Sequence, residues 1–277
     1  IAVRRAAQAC GIPYGLSIQG DSDTKVMDAR RDLTGELSAV LRDSAITFPF
    51  APWAWKRVTD RLGEPHAPHI MLPCATELDQ PMAPVTGGDG LLSVFHLQSY
   101  KRKNLAGMAR AVALLAAKGE APKLSIIGGG EPAERAACEA IVAKVPSMTL
   151  EGAKDRDEVR AAMNRATAFV LPSLRESFGL VFIEALFAGL PIIYPEGTAV
   201  DGYFDGAPFA LPVDARNPES IALAMEVAIA REDSMKAALA DWQQSDEARR
   251  FQRGSIAESF ARGLAIGCGT TTVPGDQ

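Results

Sequence analysis

Two glutamates with seven residues between them, Glu176 and Glu184, flank the strongest candidate for a ligand site in this chain. Glu176 lies in a short loop after a β-rich apolar run, and Glu184 lies inside the predicted helix that follows. The first amides of such a helix attract an anion, and Gly179 lets a ligand approach the backbone closely. The pattern predicts a phosphate site at the helix start, with two carboxylates that can accept hydrogen bonds from hydroxyl groups.

Apolar residues surround Glu184 on nearly every side of that helix, from Leu180 to Phe187. A Glu in an amphipathic helix is most often solvated, but a helix that is apolar all round is usually buried. A buried carboxylate needs a partner or a ligand. The sequence therefore favours a binding role for Glu184 over a solvated position.

Three consecutive cations, Lys101, Arg102 and Lys103, precede another predicted helix. Most such runs are solvated loops. Their position before a helix of Rossmann type favours instead a role beside phosphate groups, because Lys and Arg side chains stabilise the negative charge of a phosphate.

The glycine turn at 128–130 allows two interpretations. With Ala133 it fits a dinucleotide-binding loop, and Glu151 follows at a distance suited to a ribose-binding acid. Glu131 at the start of the next helix opposes this, because it would repel a pyrophosphate. A structural turn is favoured, and an NAD-dependent oxidoreductase stays an alternative.

Short β-rich runs alternate with helical patterns from residue 91 onward, as in a parallel sheet covered on both faces. Six strands are predicted there, at 91–95, 123–128, 148–152, 168–172, 191–194 and 209–213. Three more are predicted earlier, at 14–19, 45–48 and 69–73. We therefore expect an α/β protein with one complete doubly wound domain and one incomplete domain before it.

The composition excludes several classes of protein. The net charge is −5, without the basic excess that nucleic-acid binding uses. The four cysteines form no CxxC pair, so no zinc site is predicted. The longest apolar run, 180–194, is shorter than the ~20 residues that a membrane span needs. We expect a cytoplasmic protein that binds no nucleic acid, and, because the chain opens without Met, a piece of a longer one.

Five motifs, in order over roughly residues 70 to 230, resemble the glycosyl transferases group 1 family, which are retaining glycosyltransferases with the GT-B fold (family 4 type). The family's pair of glutamates is written here as Glu176, SFGLVFI and Glu184, followed by EALFAGLPII. The other motifs are VFHLQSYKRKNLAGMARAVALL, LSIIGGGE, MTLEGAKDRDEV and FVLPS.

The resemblance implies two Rossmann-like domains that face a cleft. An incomplete acceptor-side domain would span 1–85, a donor-binding domain would span 86–265, and a tail would follow at 266–277. The implied activity is hexosyl transfer from a nucleotide-diphosphate sugar with retention of configuration. A non-catalytic or truncated nucleotide-sugar binding module stays an alternative, because half a domain is missing.

The resemblance also implies roles for individual residues. Glu176, Arg102 and Lys103 would be catalytic, with Glu176 facing the donor sugar and the cations facing its diphosphate. Glu184 would bind the ribose. The other donor-binding residues would be Ser177, Phe178, Gly179, Leu180, Lys101, Gly129, Gly152 and Lys154. Gln19 and Gly20 would lie on the acceptor side, and since Gln19 stands where many members have His, no general base is assigned.

The implied partners are a nucleotide-sugar donor and a carbohydrate or lipid-linked acceptor. No cofactor and no metal are expected, since Lys and Arg side chains can take the electrostatic role of a metal. Peripheral association with the inner face of a membrane would come through residues that precede Ile1.

Overall fold

The computed structural model describes residues 1–78 and 80–270, and these divide into two compact units. The first unit contains Ile1–Ala75, Glu176–Phe178 and the chain from Arg250 onward, and the second contains Thr76–Arg175 and Gly179–Arg249. This division differs from the predicted domains 1–85 and 86–265 at both ends. Of the predicted tail, residues 271–277 lie outside the described residues.

Two parallel strands, β1 (Gly15–Ile18) and β2 (Ile46–Pro49), form the sheet of the first unit. Four helices accompany them: α1 (Ala2–Cys10), α2 (Asp21–Ala29), α3 (Thr34–Arg42) and α4 (Pro52–Leu62). Their buried side chains form a small core of Met27, Leu41, Trp55 and Val58. Apolar side chains of α2, α3 and α4 build this core, and Leu16 and Ile18 of β1 pack against it.

The predicted third strand of the first unit, 69–73, is wrong. The Ile70 amide donates to the Thr47 carbonyl at 2.9 Å, and the Leu72 amide donates to the Pro49 carbonyl at 2.7 Å. Only an isolated bridge between Thr47 and His69 results, however. Pro49 has no N–H to donate in return, so the ladder cannot continue past it.

One sheet of six parallel strands forms the centre of the second unit, and every strand predicted there is present. The strands are β3 (Leu91–Val94), β4 (Leu124–Ile127), β5 (Met148–Gly152), β6 (Ala168–Val170), β7 (Ile192–Pro195) and β8 (Ala210–Val213). Their spatial order is β5-β4-β3-β6-β7-β8. This is the order of a doubly wound fold: successive strands are added toward one edge of the sheet from β3 to β5 and toward the other edge from β6 to β8. In such folds ligands bind outside the carboxyl ends of the strands, where the order switches.

Seven helices accompany this sheet in the described chain. They are α5 (Leu105–Ala117), α6 (Pro132–Val142), α7 (Arg156–Arg165), α8 (Leu180–Phe187), α9 (Pro218–Ala230), α10 (Glu232–Gln243) and α11 (Asp246–Arg249). The core-facing side chains of α5, α8 and α9 are almost completely buried. The strongest apolar stripes of the sequence therefore cover the sheet, as amphipathic patterning requires.

The proline- and glycine-rich segment 81–90, which contains the predicted domain boundary between residues 85 and 86, packs against the second unit instead. Side chains of α7 and α10 donate hydrogen bonds to its carbonyls: Asn164 to Ala83 at 2.9 Å, Gln243 to Met82 at 3.1 Å, and Lys236 to Val85. Because its backbone groups are satisfied by this unit, the segment belongs to it, and the division falls earlier, between Ala75 and Thr76.

The last described helix, α12 (Arg253–Gly267), packs on β2 of the first unit. A Cβ at Gly263 would lie 2.4 Å from the ring of Phe48, and one at Gly267 would lie 2.9 Å from Ile46. The rings of Phe48 and Phe260 are 5.0 Å apart. The glycines spaced one turn apart let the helix approach the strand closely, which places it with the first unit rather than in the predicted domain 86–265.

Candidate functional site

Helix α8 begins at the point where the sequence predicts a phosphate site. Its N-cap is Gly179 at φ +75°, and no side chain caps its amides. In the described chain, every other helix that follows a strand of the second unit has a side chain bonded to its first turn. These side chains are Asn104 for α5, Glu134 for α6, Asp155 for α7 and Asn217 for α9. The positive end of α8 therefore lacks the capping group that its neighbours have.

A pocket of about 350 Å³ lies beside α8 within the second unit. Leu180 and Glu184 of α8 form one wall, and Lys154 of the loop after β5 and Arg156 at the start of α7 form another. The remaining lining residues are Glu77, Leu78, Val159, Arg160 and Met163. The structure therefore brings three of the predicted donor-binding residues together, in a pocket that combines apolar surface with cations and two carboxylates.

The Glu184 carboxyl group is half-buried in this pocket. Burial raises the pKa of Glu184 above its usual value, and the Arg156 guanidinium opposes that rise in part. Within the described chain, no side chain donates a hydrogen bond to this carboxylate. A ligand that brings hydroxyl donors would supply the hydrogen bonds that partial burial has taken from water.

The two nearest cations of the pocket are themselves paired. Arg156 forms an ion pair with Glu77, and Lys154 forms one with Glu151. The Lys154 ammonium lowers the pKa of Glu151. These pairs orient both cations at the edge of the pocket, where the Arg156 side chain is exposed and the Lys154 side chain is partly buried.

Arg102 of the predicted basic loop is held against the loop that leaves β6. Its guanidinium donates to the Arg175 carbonyl at 3.4 Å, and its own carbonyl accepts the Leu174 amide at 2.8 Å. Lys103 is half-buried, whereas Lys101 is exposed and lies 5.7 Å from the centre of the Tyr100 ring. Arg102 is thus tied to the neighbouring loop while remaining exposed like Lys101, and Lys103 is the most buried of the three cations.

Asn104 fixes the geometry of this loop. It adopts φ +61°, caps α5 by accepting the Gly107 amide at 3.2 Å, and donates to the carbonyls of Pro172 and Ala215 at 3.1 and 2.7 Å. A Cβ at Gly107 would lie 2.4 Å from the Asn104 side chain, so only glycine fits there. The amide of Asn104 therefore ties the basic loop to the ends of two other strands.

The glycines of the turn at 128–130 allow close packing of backbone segments. A Cβ on Gly128 would lie 1.9 Å from the Phe95 carbonyl oxygen. The Gly129 carbonyl accepts the Leu97 amide at 2.8 Å, and the Gly128 amide donates to the Gly152 carbonyl at 2.8 Å. The Glu134 carboxylate also occupies the start of α6, where a dinucleotide's pyrophosphate would bind. The geometry favours the structural turn, and neither Gly129 nor Gly152 lines the pocket at Glu184.

The remaining predicted residues lie in the first unit. Glu176 is half-buried, and the Ser177 amide lies 3.3 Å from its carboxylate. Phe178 is buried. The amides of Gln19 and Gly20 donate to the Asp23 carboxylate at 2.6 and 3.1 Å, which closes the start of α2. Gly20 lies directly against Ser177, so an acceptor-side and a donor-side prediction meet there.

Six of the nine pocket residues escaped the sequence reasoning: Glu77, Leu78, Arg156, Val159, Arg160 and Met163. Glu77 and Leu78 come from the stretch before β3, which carries no periodic pattern, so nothing local marks them. Arg156 carried a usable signal, because the capping box of Asp155 and Glu158 places it in the first turn of α7, directly after β5.

Two features are absent from residues 1–78 and 80–270. No group of three or more His, Cys, Asp and Glu side chains is placed to hold a metal ion. No helix there combines the length and the hydropathy that crossing a bilayer requires. All four cysteines are free thiols.

Three solved structures resemble the chain in fold. Sucrose-phosphate synthase from Thermosynechococcus elongatus is 19% identical, with a TM-score of 0.67 over 94% of this chain and 69% of that one. The α,α-trehalose 6-phosphate synthase from Burkholderia multivorans is 14% identical, with a TM-score of 0.69 over 96% and 70%. A UDP-forming α,α-trehalose-phosphate synthase from Burkholderia xenovorans is 15% identical, with a TM-score of 0.63 over 97% and 71%. They confirm the predicted α/β fold of GT-B type.

No curated protein matches the sequence. The sequence model of the family "Glycosyl transferases group 1", by contrast, matches residues 89–231. This range is more than half of the chain and includes α8 and the basic loop. The predicted family is confirmed, and with it the prediction of a hexosyltransferase-type enzyme. The chain belongs to the glycosyl transferases group 1 family.

Proposed function

We propose that this protein transfers a sugar from a nucleoside diphosphate sugar to an acceptor hydroxyl, with retention of the anomeric configuration. The observation that carries the proposal is the pocket at Glu184, where a half-buried carboxylate lies among apolar side chains, one turn inside a helix whose start has no capping side chain. The UDP-forming Burkholderia xenovorans enzyme, which has the same fold, supports a nucleotide donor.

In the proposed complex, each part of the donor meets a group of matching chemistry. The Glu184 carboxylate accepts hydrogen bonds from the ribose hydroxyls, and the apolar wall of Leu180 and Met163 packs against the base. The amides of Gly179 and Leu180 at the α8 start bind phosphate oxygens. Glu176 binds the hydroxyl groups of the transferred sugar.

The reaction exchanges one bond of the anomeric carbon for another. The bond to the diphosphate oxygen breaks, a bond to the acceptor oxygen forms on the same face, and the acceptor proton passes to the departing diphosphate. Arg102 and Lys103 stabilise the negative charge that grows on that leaving group. A carbohydrate or lipid-linked acceptor, and a role for Gln19 limited to hydrogen bonding, complete the proposal.

Titration calorimetry with UDP, GDP, UDP-glucose and GDP-mannose tests the donor class. We expect at least one of these nucleotides to bind, and Lys103→Ala to weaken binding of the diphosphate at least tenfold while leaving binding of the free nucleoside unchanged. Lys118→Ala is the matched control, since Lys118 lies at the far end of α5 beside Glu226. If none of the four nucleotides binds, the proposal fails.

A turnover assay separates the enzyme from a module that only binds nucleotide sugars. Release of the nucleoside diphosphate on addition of an acceptor, with the α-configuration of the donor preserved in the product by NMR, is the expected result. An inverted product would contradict retention. Tight binding of NAD in place of UDP or GDP would favour an oxidoreductase.

A further inference from the structure

Gly20 packs against the backbone of Ser177, in the loop that carries Glu176. A Cβ built on Gly20 would lie 3.0 Å from the Ser177 carbonyl oxygen and 3.3 Å from its Cα. Both are backbone atoms, so the contact cannot be relieved by rotation of a side chain. The Trp53 ring, 3.2 Å away, closes the other side of the same position.

The backbone at Gly20 is held in place by its surroundings. Its φ of 112° and ψ of −120° lie in a region that side-chain-bearing residues rarely adopt. The Asp23 carboxylate accepts the amides of both Gln19 and Gly20, which fixes the turn at the start of α2. Gly20 therefore lies in a turn that hydrogen bonds hold in one conformation, and not in a mobile loop that could move to accommodate a side chain.

We infer that Gly20 is a positioning residue. Because it has no side chain, the backbone of Ser177 can pack directly against it, and this contact fixes the position of the Glu176 carboxylate. The inference rests on the proposed function, because it takes Glu176 to be the group that meets the donor sugar. Its consequence is selective. A side chain at position 20 displaces the 176–178 loop but leaves the pocket at Glu184, which belongs to the second unit, unchanged.

The test compares Gly20→Ala with Gly63→Ala in the full chain. Gly63 also adopts a positive φ, +85°, but a Cβ there meets no atom within 4 Å. Both substitutions strain the backbone, and only the first pushes on Ser177. We expect Gly20→Ala to weaken binding of UDP-glucose or GDP-mannose at least tenfold while UDP and GDP affinities stay within twofold, and Gly63→Ala to change neither.

Amide hydrogen exchange of the peptide that contains residues 174–180 gives a readout that needs no ligand. We expect this peptide to exchange at least tenfold faster in Gly20→Ala than in Gly63→Ala. Equal exchange in the two variants overturns the inference, even if the nucleotides fail to bind and the proposed function falls. Equal losses for nucleotide and nucleotide sugar also overturn it, because a general defect in folding would produce that result.

Asp23→Ala provides the test if Gly20→Ala does not fold. It releases the turn without adding bulk, so we expect the same selectivity with a smaller loss, about threefold for the nucleotide sugar and none for the nucleotide. Unchanged affinity for the nucleotide sugar, together with unchanged exchange at 174–180, would overturn the inference.

Discussion

Helices α6 and α8 both begin after a glycine-containing turn at the end of a buried strand of one sheet, and the two starts have opposite properties. At α6 the Glu134 carboxylate accepts the Glu131 amide at 2.8 Å, so the anion-binding end of the helix is already occupied by the protein. At α8 the N-cap is Gly179, and no side chain caps the amides. The same order of strand, glycine and helix therefore produces one helix start that a side chain caps (closed) and one that no side chain caps (open).

The difference shows what a glycine-rich turn means in each place. The glycines before α6 allow backbones to meet, since a Cβ at Gly128 would overlap the Phe95 carbonyl. Gly179 supplies a positive φ at the helix start and keeps side-chain atoms away from it. A glycine motif thus indicates a ligand site only where the space that glycine leaves is not filled by the protein itself.

Gly128→Ala would produce the largest effect on the closed turn. Because the new Cβ would overlap the Phe95 oxygen at 1.9 Å, the backbone must shift, and we expect a loss of about 3 kcal/mol in the free energy of unfolding. Urea denaturation measures it. Gly35→Ala in α3, where a Cβ meets nothing within 4 Å, should instead stabilise by about 0.5 kcal/mol. Similar values for the two variants would contradict the packing role.

Glu184→Ala tests the open site. The loss of a carboxylate that accepts hydroxyl hydrogen bonds should weaken binding of UDP or GDP by about 2 kcal/mol, or roughly thirtyfold, by calorimetry. Glu134→Ala is the matched control at the closed helix start. It should lower stability by about 1 kcal/mol through the lost cap and leave nucleotide affinity unchanged. The comparison breaks if Glu134→Ala weakens binding as much as Glu184→Ala.

The pH dependence of nucleotide binding should follow Glu184. Because burial raises its pKa above 4.5, the carboxylate that accepts ribose hydroxyls is lost as the pH falls through the raised value, and affinity should fall there. The free energy of unfolding changes in the opposite direction. Because the pKa of Glu184 is raised in the folded state, its contribution to stability is complete below pH 4.5 and is lost as the pH rises through the folded-state pKa. Glu184→Gln should abolish both trends, in calorimetry and in urea titrations.

Arg156→Gln should give the smallest effect. Arg156 lowers the pKa of Glu184, so its removal should move the midpoint of the pH profile for nucleotide binding upward by a fraction of a pH unit. The shift is small because the Arg156 side chain is 82% exposed and its field is screened by water. Arg165→Gln, at the far end of α7, should leave the midpoint in place. A downward shift for Arg156→Gln would contradict the assignment.

Much of the second unit could be predicted from sequence because its signals are local. The six strands are short apolar runs between helical patterns, and their order in the sheet follows from the doubly wound rule. Glu184 could be singled out because apolar neighbours surround it on its own helix. In each case the information lies within about ten residues of the position concerned.

The division into units could not be predicted in the same way. The segment 81–90 has the composition of a linker, but Asn164, Gln243 and Lys236 satisfy its backbone from positions far along the chain. Helix α12 packs on β2 through glycines whose purpose appears only beside Phe48 and Ile46. The composition of a segment indicates only its local conformational preference. These contacts are made with residues that are distant in sequence, so no local pattern predicts them.

The amino-acid sequence by itself determined the α/β class, the family, the six strands of the second unit, and the pair Glu176 and Glu184, one in the loop before α8 and one within that helix, because periodicity and motif spacing are properties of neighbouring residues. The tertiary structure alone decided that the turn before α6 is closed and the start of α8 is not, that Glu77, Leu78 and Arg156 complete the pocket, and that Gly20 meets Ser177. Those outcomes depend on which distant groups fill the space around each position, and only folding brings those groups together.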